Sequence, residues 1–159
     1  MVELELDALA DTRVVDHVRA LLIEPTCQLR AWDYGAPGDV YRCWLSLAHK
    51  PSNVGIAYCE SGFGPRNPWG LLFLSGTEHM SMSMDCGWYS QFLQAYFESP
   101  AAAELPIWRV FESHAPASLG VAITDEDTWE NTWLEVYRLR HANPQFRYDC
   151  NQSVYVGAA

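Results

Sequence analysis

The sequence predicts an α+β fold, a mainly antiparallel sheet of about five to six strands with about three helices packed on one face. Three observations carry this expectation. Four segments rich in aromatic and aliphatic residues follow one another between positions 27 and 75, joined by short turn-forming stretches that favour antiparallel neighbours. Segments with helical spacing stand on either side of them. The chain has 159 residues, 49% apolar and 19% charged, enough to bury a core as one globular domain (1–159) with no evident linker.

Residues 2–6 alternate apolar and acidic side chains, as an edge strand or a helix lead-in would. Asp11 or Thr12 caps a helix in which Val14, Val15, Val18, Leu21 and Leu22 recur at helical spacing, and Pro25 ends it. Strands are expected over Cys27–Tyr34, Val40–His49, Asn53–Glu60 and Trp69–Ser75. Gly35–Gly38, Pro51–Asn53 and Gly62–Pro68 supply the turns. In the second strand, alternation puts Tyr41, Cys43, Leu45 and Leu47 on one face and Arg42, Trp44 and Ser46 on the other. That pattern suits a sheet covered on one side. Asp85 caps a helix over 88–99, and Ile107–Phe111 forms another strand. Thr124 opens a further helix, with Asp127 completing a capping-box pattern and Trp129, Trp133, Val136 and Tyr137 as its apolar face. Gln145–Val156 forms the last strand or hairpin.

Twenty acidic against ten basic residues give a formal charge of −10, which argues against a nucleic-acid partner. The longest apolar stretches, such as Leu71–Leu74, are too short to span a membrane, and the acidic first residues do not suit an export signal. Five Cys without a C-x-x-C pair point to reduced thiols and a cytoplasmic setting. The glycines at 62, 64 and 70 do not make a dinucleotide fingerprint, because Pro65 and Pro68 interrupt and a strand follows. No His or Cys pair has metal-ligand spacing. Cys59 has the carboxylate of Glu60 beside it, which disfavours a thiolate nucleophile. No catalytic residue, metal or cofactor is expected, and the chain leans toward a non-enzyme.

The strings GIAYCESGFGPRNPWG (55–70) and MDCGWYSQFLQAYF (84–97) resemble a family of small bacterial proteins with no assigned activity. The resemblance covers roughly residues 30–100 and implies no functional residue. Small acidic stand-alone bacterial domains also resemble toxin-immunity proteins, at the level of class.

Seven Trp and eight Tyr exceed what a small core requires, and the acids are unevenly spread: positions 98–135 hold eight acids and a single Arg. The leading expectation is therefore a protein-binding domain that docks a basic protein, such as a toxin bound by an immunity partner. Trp32 and Trp44 are its candidate aromatic contacts. Glu130 and Glu135 are its candidate acids, because they lie past the first turn of the expected helix. The alternative is a small-molecule-binding domain or enzyme with a pocket around residues 58–70, formed by Tyr58, Glu60, Arg66 and Asp85.

Overall fold

The computed structural model describes residues 1–32, 35–62, 64–75, 87–113 and 121–152. The fold is α+β, with a five-stranded antiparallel sheet, a two-stranded sheet and four helices. The chain divides into two compact units, Met1–Ala102 and Ala103–Ala159.

In the first unit, α1 (Val2–Leu6) is a single short helix, so the alternation of residues 2–6 is a lead-in and not an edge strand. Helix α2 (Thr12–Leu21) starts where expected, the Asp11 carboxylate accepting from the amide of Arg13 at 2.9 Å. It ends earlier than Pro25 would require, because Leu22 already has extended dihedrals and opens β1 (Leu22–Arg30) without a loop. Pro25 lies inside β1. This is permitted because β1 is an edge strand and its register is irregular between Leu22 and Thr26. Strands β2 (Tyr41–His49), β3 (Val54–Tyr58), β4 (Trp69–Phe73) and β5 (Trp88–Tyr89) follow in spatial order β1-β2-β3-β4-β5.

A β-bulge decides which residues share a face. Leu47 pairs with Ile56, but Leu45 pairs with Ala57, so the register shifts by one between them. Neighbours on a strand point to opposite faces. Leu45 and Leu47 therefore lie on opposite faces, against the simple alternation read from the sequence. Both faces carry buried side chains. One carries Cys43, Leu45, Ala57, Cys59, Leu72 and Trp88, with Trp32, Tyr41 and Leu74 packed against them. Gly70 is required there, since a Cβ would fall 2.7 Å from the Trp88 ring. The other face carries Leu47 and Ile56, together with Tyr58 and Trp69, whose rings meet edge-on at 5.3 Å.

Helix α3 (Phe92–Phe97) covers that second face, Phe92 meeting Trp69 edge-on at 5.2 Å. It is shorter than expected, because Trp88 and Tyr89 pair with β4 instead of extending it. Its cap is non-local. Gln91, the preceding residue, makes no side-chain cap bond, and the Glu5 carboxylate of α1 accepts from the amides of Phe92 (3.1 Å) and Leu93 (2.9 Å). The expected cap Asp85 lies outside the described residues.

In the second unit, β6 (Trp108–Ser113) pairs with β7 (Arg147–Gln152), and α4 (Trp129–Ala142) packs on both. The helix begins at Trp129 and not at Thr124. Residues 121–127 run along the free side of β6 instead. The backbones of Trp108 and Asp127 exchange both hydrogen bonds (2.9 and 2.8 Å), and the Thr124 hydroxyl accepts from the Val110 amide at 2.9 Å. Thr128 is the N-cap, its hydroxyl accepting from Asn131 N. The face of α4 toward the sheet centres on Thr132 and Val136, with Val136 packed among Val110 and Tyr148. Trp129 and Tyr137, expected on the apolar face, are exposed by 42% and 62%. No described helix is long and apolar enough to cross a membrane.

Candidate functional site

Two concavities carry chemically distinctive residues, one in each unit. In the first unit a pocket of about 500 Å³ is lined by Asp39, Val40, Tyr41, Arg42, Cys59, Glu60 and Ser61. The start of β2 forms one wall and the turn after β3 the other. Cys59 is 1% exposed, yet it contributes to this wall, and Cys43 lies with it in the same buried cluster. The bulged register explains the meeting. Trp44 pairs with Tyr58, so the next step outward sets Cys43 opposite Cys59 on the same face.

The two thiols are not equivalent. Cys59 is held below the ordinary thiol range, first by the hydrogen bond from Cys43 and further by the amides of Gly62 and Ser61, which outweigh burial and the carboxylate of Glu60. Cys43, as the donor, is pushed above that range by the same bond and by burial. The turn that supplies the amides needs glycine. Gly62 has φ +32°, and a Cβ there would fall 2.4 Å from the carbonyl oxygen of Asn67.

Arg30 lies on the same face as Cys43, two residue pairs further along β1 and opposite Tyr41, and is 1% exposed. Its Nη2 donates to Gln28 Oε1 and, at 2.9 Å, to the carbonyl oxygen of Phe73, while its Nε has no partner. Burial lowers its pKa, and Cys43 is near enough for the two groups to interact electrostatically. A guanidinium this deeply buried normally needs an anion or a full set of acceptors.

In the second unit a depression of about 430 Å³ is lined by Ala103, Glu104, Thr128, Trp129 and Glu130. Trp129 begins a row of rings along α4, edge-on to Trp133 at 6.1 Å, with Tyr137 beyond at 5.8 Å. The Arg140 guanidinium sits 5.6 Å from the centre of the Trp133 ring and donates to the carbonyl oxygen of Tyr148 at 3.0 and 2.6 Å.

The residues singled out from the sequence divide as follows. Trp44 is 44% exposed on β2. Trp32 is half-buried, edge-on to Tyr41 at 6.4 Å and packed on the thiol-bearing cluster. Glu130 is in the first turn of α4, where the helix dipole itself favours a carboxylate, so the reason for selecting it no longer holds. It nevertheless lines the depression beside Trp129. Glu135 accepts two hydrogen bonds from Arg138, at 2.7 and 2.6 Å, which accounts for it locally. Of the alternative pocket residues, Glu60 lines the first concavity, whereas Tyr58 packs on Trp69 on the opposite face of the sheet. Arg66 is exposed in the turn before β4 and does not line that concavity, and Asp85 lies outside the described residues.

Cys43, Arg30 and Glu104 were not among the expected site residues. The one sequence signal for the thiols is that Cys43 and Cys59 stand equally far from Pro51 in the turn between their strands. Among the described residues no group of three or more His, Cys, Asp or Glu is placed to hold a metal ion. Comparison with family models, curated proteins and solved structures finds no match to this chain.

Proposed function

We propose that the chain is a protein-binding module whose second unit seats a cationic side chain of a basic partner in the depression beside α4. The observation that carries this reading is the grouping of Trp129 with Glu104 and Glu130 around one concavity. An indole face attracts a lysine or arginine head through its quadrupole, and two carboxylates nearby supply the opposite charge. Trp129 is already 42% exposed, so little must be displaced for such a contact. The net charge of −10 favours encounter with a basic protein over long range. A basic toxin bound by an immunity protein is one partner of this kind.

The test uses the full chain and an arginine-rich peptide as the probe, followed by calorimetry. Trp129→Ala is expected to weaken binding by about tenfold. Glu104→Gln with Glu130→Gln is expected to weaken it and to reduce its salt dependence. Equal affinity for the parent and the Trp129→Ala variant overturns the assignment of this depression. No measurable binding at low salt overturns the module reading itself.

A further inference from the structure

We propose that Cys43 and Cys59 form a thiol–disulfide exchange site whose substrate is a small, polar, zwitterionic disulfide seated in the pocket between Asp39 and Ser61. Three observations support it, all independent of the docking depression. The two thiols belong to one buried cluster, and each is the next residue outward from the Trp44–Tyr58 pair that ends the ladder of β2 and β3. Directly opposed residues in antiparallel strands have Cα atoms about 4.5–5.5 Å apart, within the span a disulfide bridges. Cys59 forms part of the pocket wall and Cys43 does not, so their roles are ordered: Cys59 meets the substrate and Cys43 resolves. Asp39, Glu60 and Arg42 all line the pocket, so residues of both charges stand around it. That set complements the ammonium and carboxylate groups of an amino-acid-derived disulfide.

The buried Arg30 gives a reason for the pair to sit where it does. Its guanidinium, with Nε lacking a partner, lies on the thiol-bearing side of the sheet and favours negative charge on Cys43, the sulfur that attacks in the second step.

The chemistry balances. The Cys59 thiolate attacks one sulfur of the substrate RSSR, forming a Cys59–S–S–R bond and releasing RS⁻. The Cys43 thiol then gives its proton to the released RS⁻, and its sulfur attacks Cys59 Sγ. The Cys43–Cys59 disulfide forms and a second RS⁻ leaves, taking a proton from water. The two protein thiols are oxidised, and one small disulfide is reduced to two small thiols.

The experiment treats the full-length, reduced protein with oxidised glutathione under native conditions, alkylates the remaining thiols at intervals, and maps the peptides by mass. The expected product is a Cys43–Cys59 crosslink, formed about tenfold or more faster than any adduct at the exposed Cys27. Cys43→Ala is expected to accumulate a mixed disulfide on Cys59, and Cys59→Ala to leave Cys43 unmodified. An uncharged probe, hydroxyethyl disulfide, should react several-fold more slowly than oxidised glutathione at equal concentration. Adducts confined to Cys27, with Cys43 and Cys59 alkylated only after denaturation, overturn the exchange site, and this result needs no variant to fold. Equal rates for the charged and uncharged probes overturn the zwitterionic substrate class.

Discussion

Replacing Glu5 by Ala should destabilise the first unit far more than an acidic residue near the start of a chain ordinarily would. In the fold, the Glu5 carboxylate accepts from the amides of Phe92 and Leu93, the first two residues of α3. Those amides are helix-end donors with no partner inside the helix, and the local cap position, Gln91, contributes no side-chain bond. Both amides belong to residues that are otherwise buried. A hydrogen bond to a charged acceptor is worth about 1.5–3 kcal/mol, less where the carboxylate is partly solvated. Two such bonds, reduced for the half-exposed Glu5, give roughly 2–3 kcal/mol. For a chain of this size that corresponds to a fall in Tm of about 5–10 °C. Glu5→Gln keeps one acceptor oxygen and loses the charge, so it should fall between the parent and Glu5→Ala. Glu3→Gln is the control, because Glu3 makes only an exposed ion pair with Arg19 at 2.8 Å, and such pairs contribute little. The measurement is thermal unfolding followed by near-ultraviolet circular dichroism, which reports on the Trp69–Phe92 packing. A Glu5→Ala variant melting within about 1 °C of the parent would refute the claim that α1 caps α3.

Gly62→Ala should cost more than about 1 kcal/mol, because of its positive φ and the close Asn67 carbonyl, and should also slow Cys59 alkylation by displacing the amides that face its sulfur. Thr128→Ala should cost about 1 kcal/mol in the second unit as a lost N-cap, whereas Asp125→Asn should stay within about 0.5 kcal/mol, and chemical denaturation of the two variants distinguishes a helix start at 128 from one at 124. Cys59 should keep alkylating as pH falls below the ordinary thiol range, since its lowered pKa preserves the thiolate there; a rate that drops as for an ordinary thiol would contradict the hydrogen-bonded pair. Cys150 behaves oppositely. Burial pushes its thiol up to about 12, so its contribution to stability is complete below the unfolded thiol pKa and is lost as pH rises from there toward about 12. Cys150→Ala should therefore flatten the alkaline decline in stability, which urea titrations at successive pH values measure.

Much of the fold was legible because it depends on local patterns. Asp11 before the valines of α2, the aromatic runs of β2 to β4 and the turn residues between them are short-range signals, and the elements formed there. Signals failed where tertiary pairing competed with local preference. Thr124 and Asp127 fit a capping box by spacing, yet the Thr124 hydroxyl and the Asp127 backbone are engaged by β6. Trp88 and Tyr89 have helical spacing to Phe92 and Tyr96, yet they pair with β4. The α3 cap could not be read at all, because Glu5 stands 87 residues before Phe92. Shifting the start of α4 by four residues also exchanged the roles of its acids, bringing Glu130 into the first turn.

The thiol pair illustrates why one extra residue can decide what a site contains. Near the turn, His49 pairs with Val54 and Leu47 with Ile56. Continued unchanged, that register would set Cys59 opposite Trp44 and Cys43 opposite Glu60. Opposed residues share a face and successive residues alternate, so the two sulfurs would then lie on opposite sides of the sheet. The bulge between Leu45 and Leu47 shifts the pairing by one, and Trp44 meets Tyr58 instead. From there outward Cys43 and Cys59 share the inner face, with Gln28 of β1 opposite Cys43 and Arg30 two residues beyond. The same shift sends Leu47 to the face covered by α3, which is why strict alternation along β2 misassigned it. Side-chain periodicity cannot register an inserted residue, because both Leu45 and Leu47 are apolar and both find a core. The chemistry on the inner face thus depends on a backbone irregularity that leaves the hydrophobic pattern of β2 unchanged.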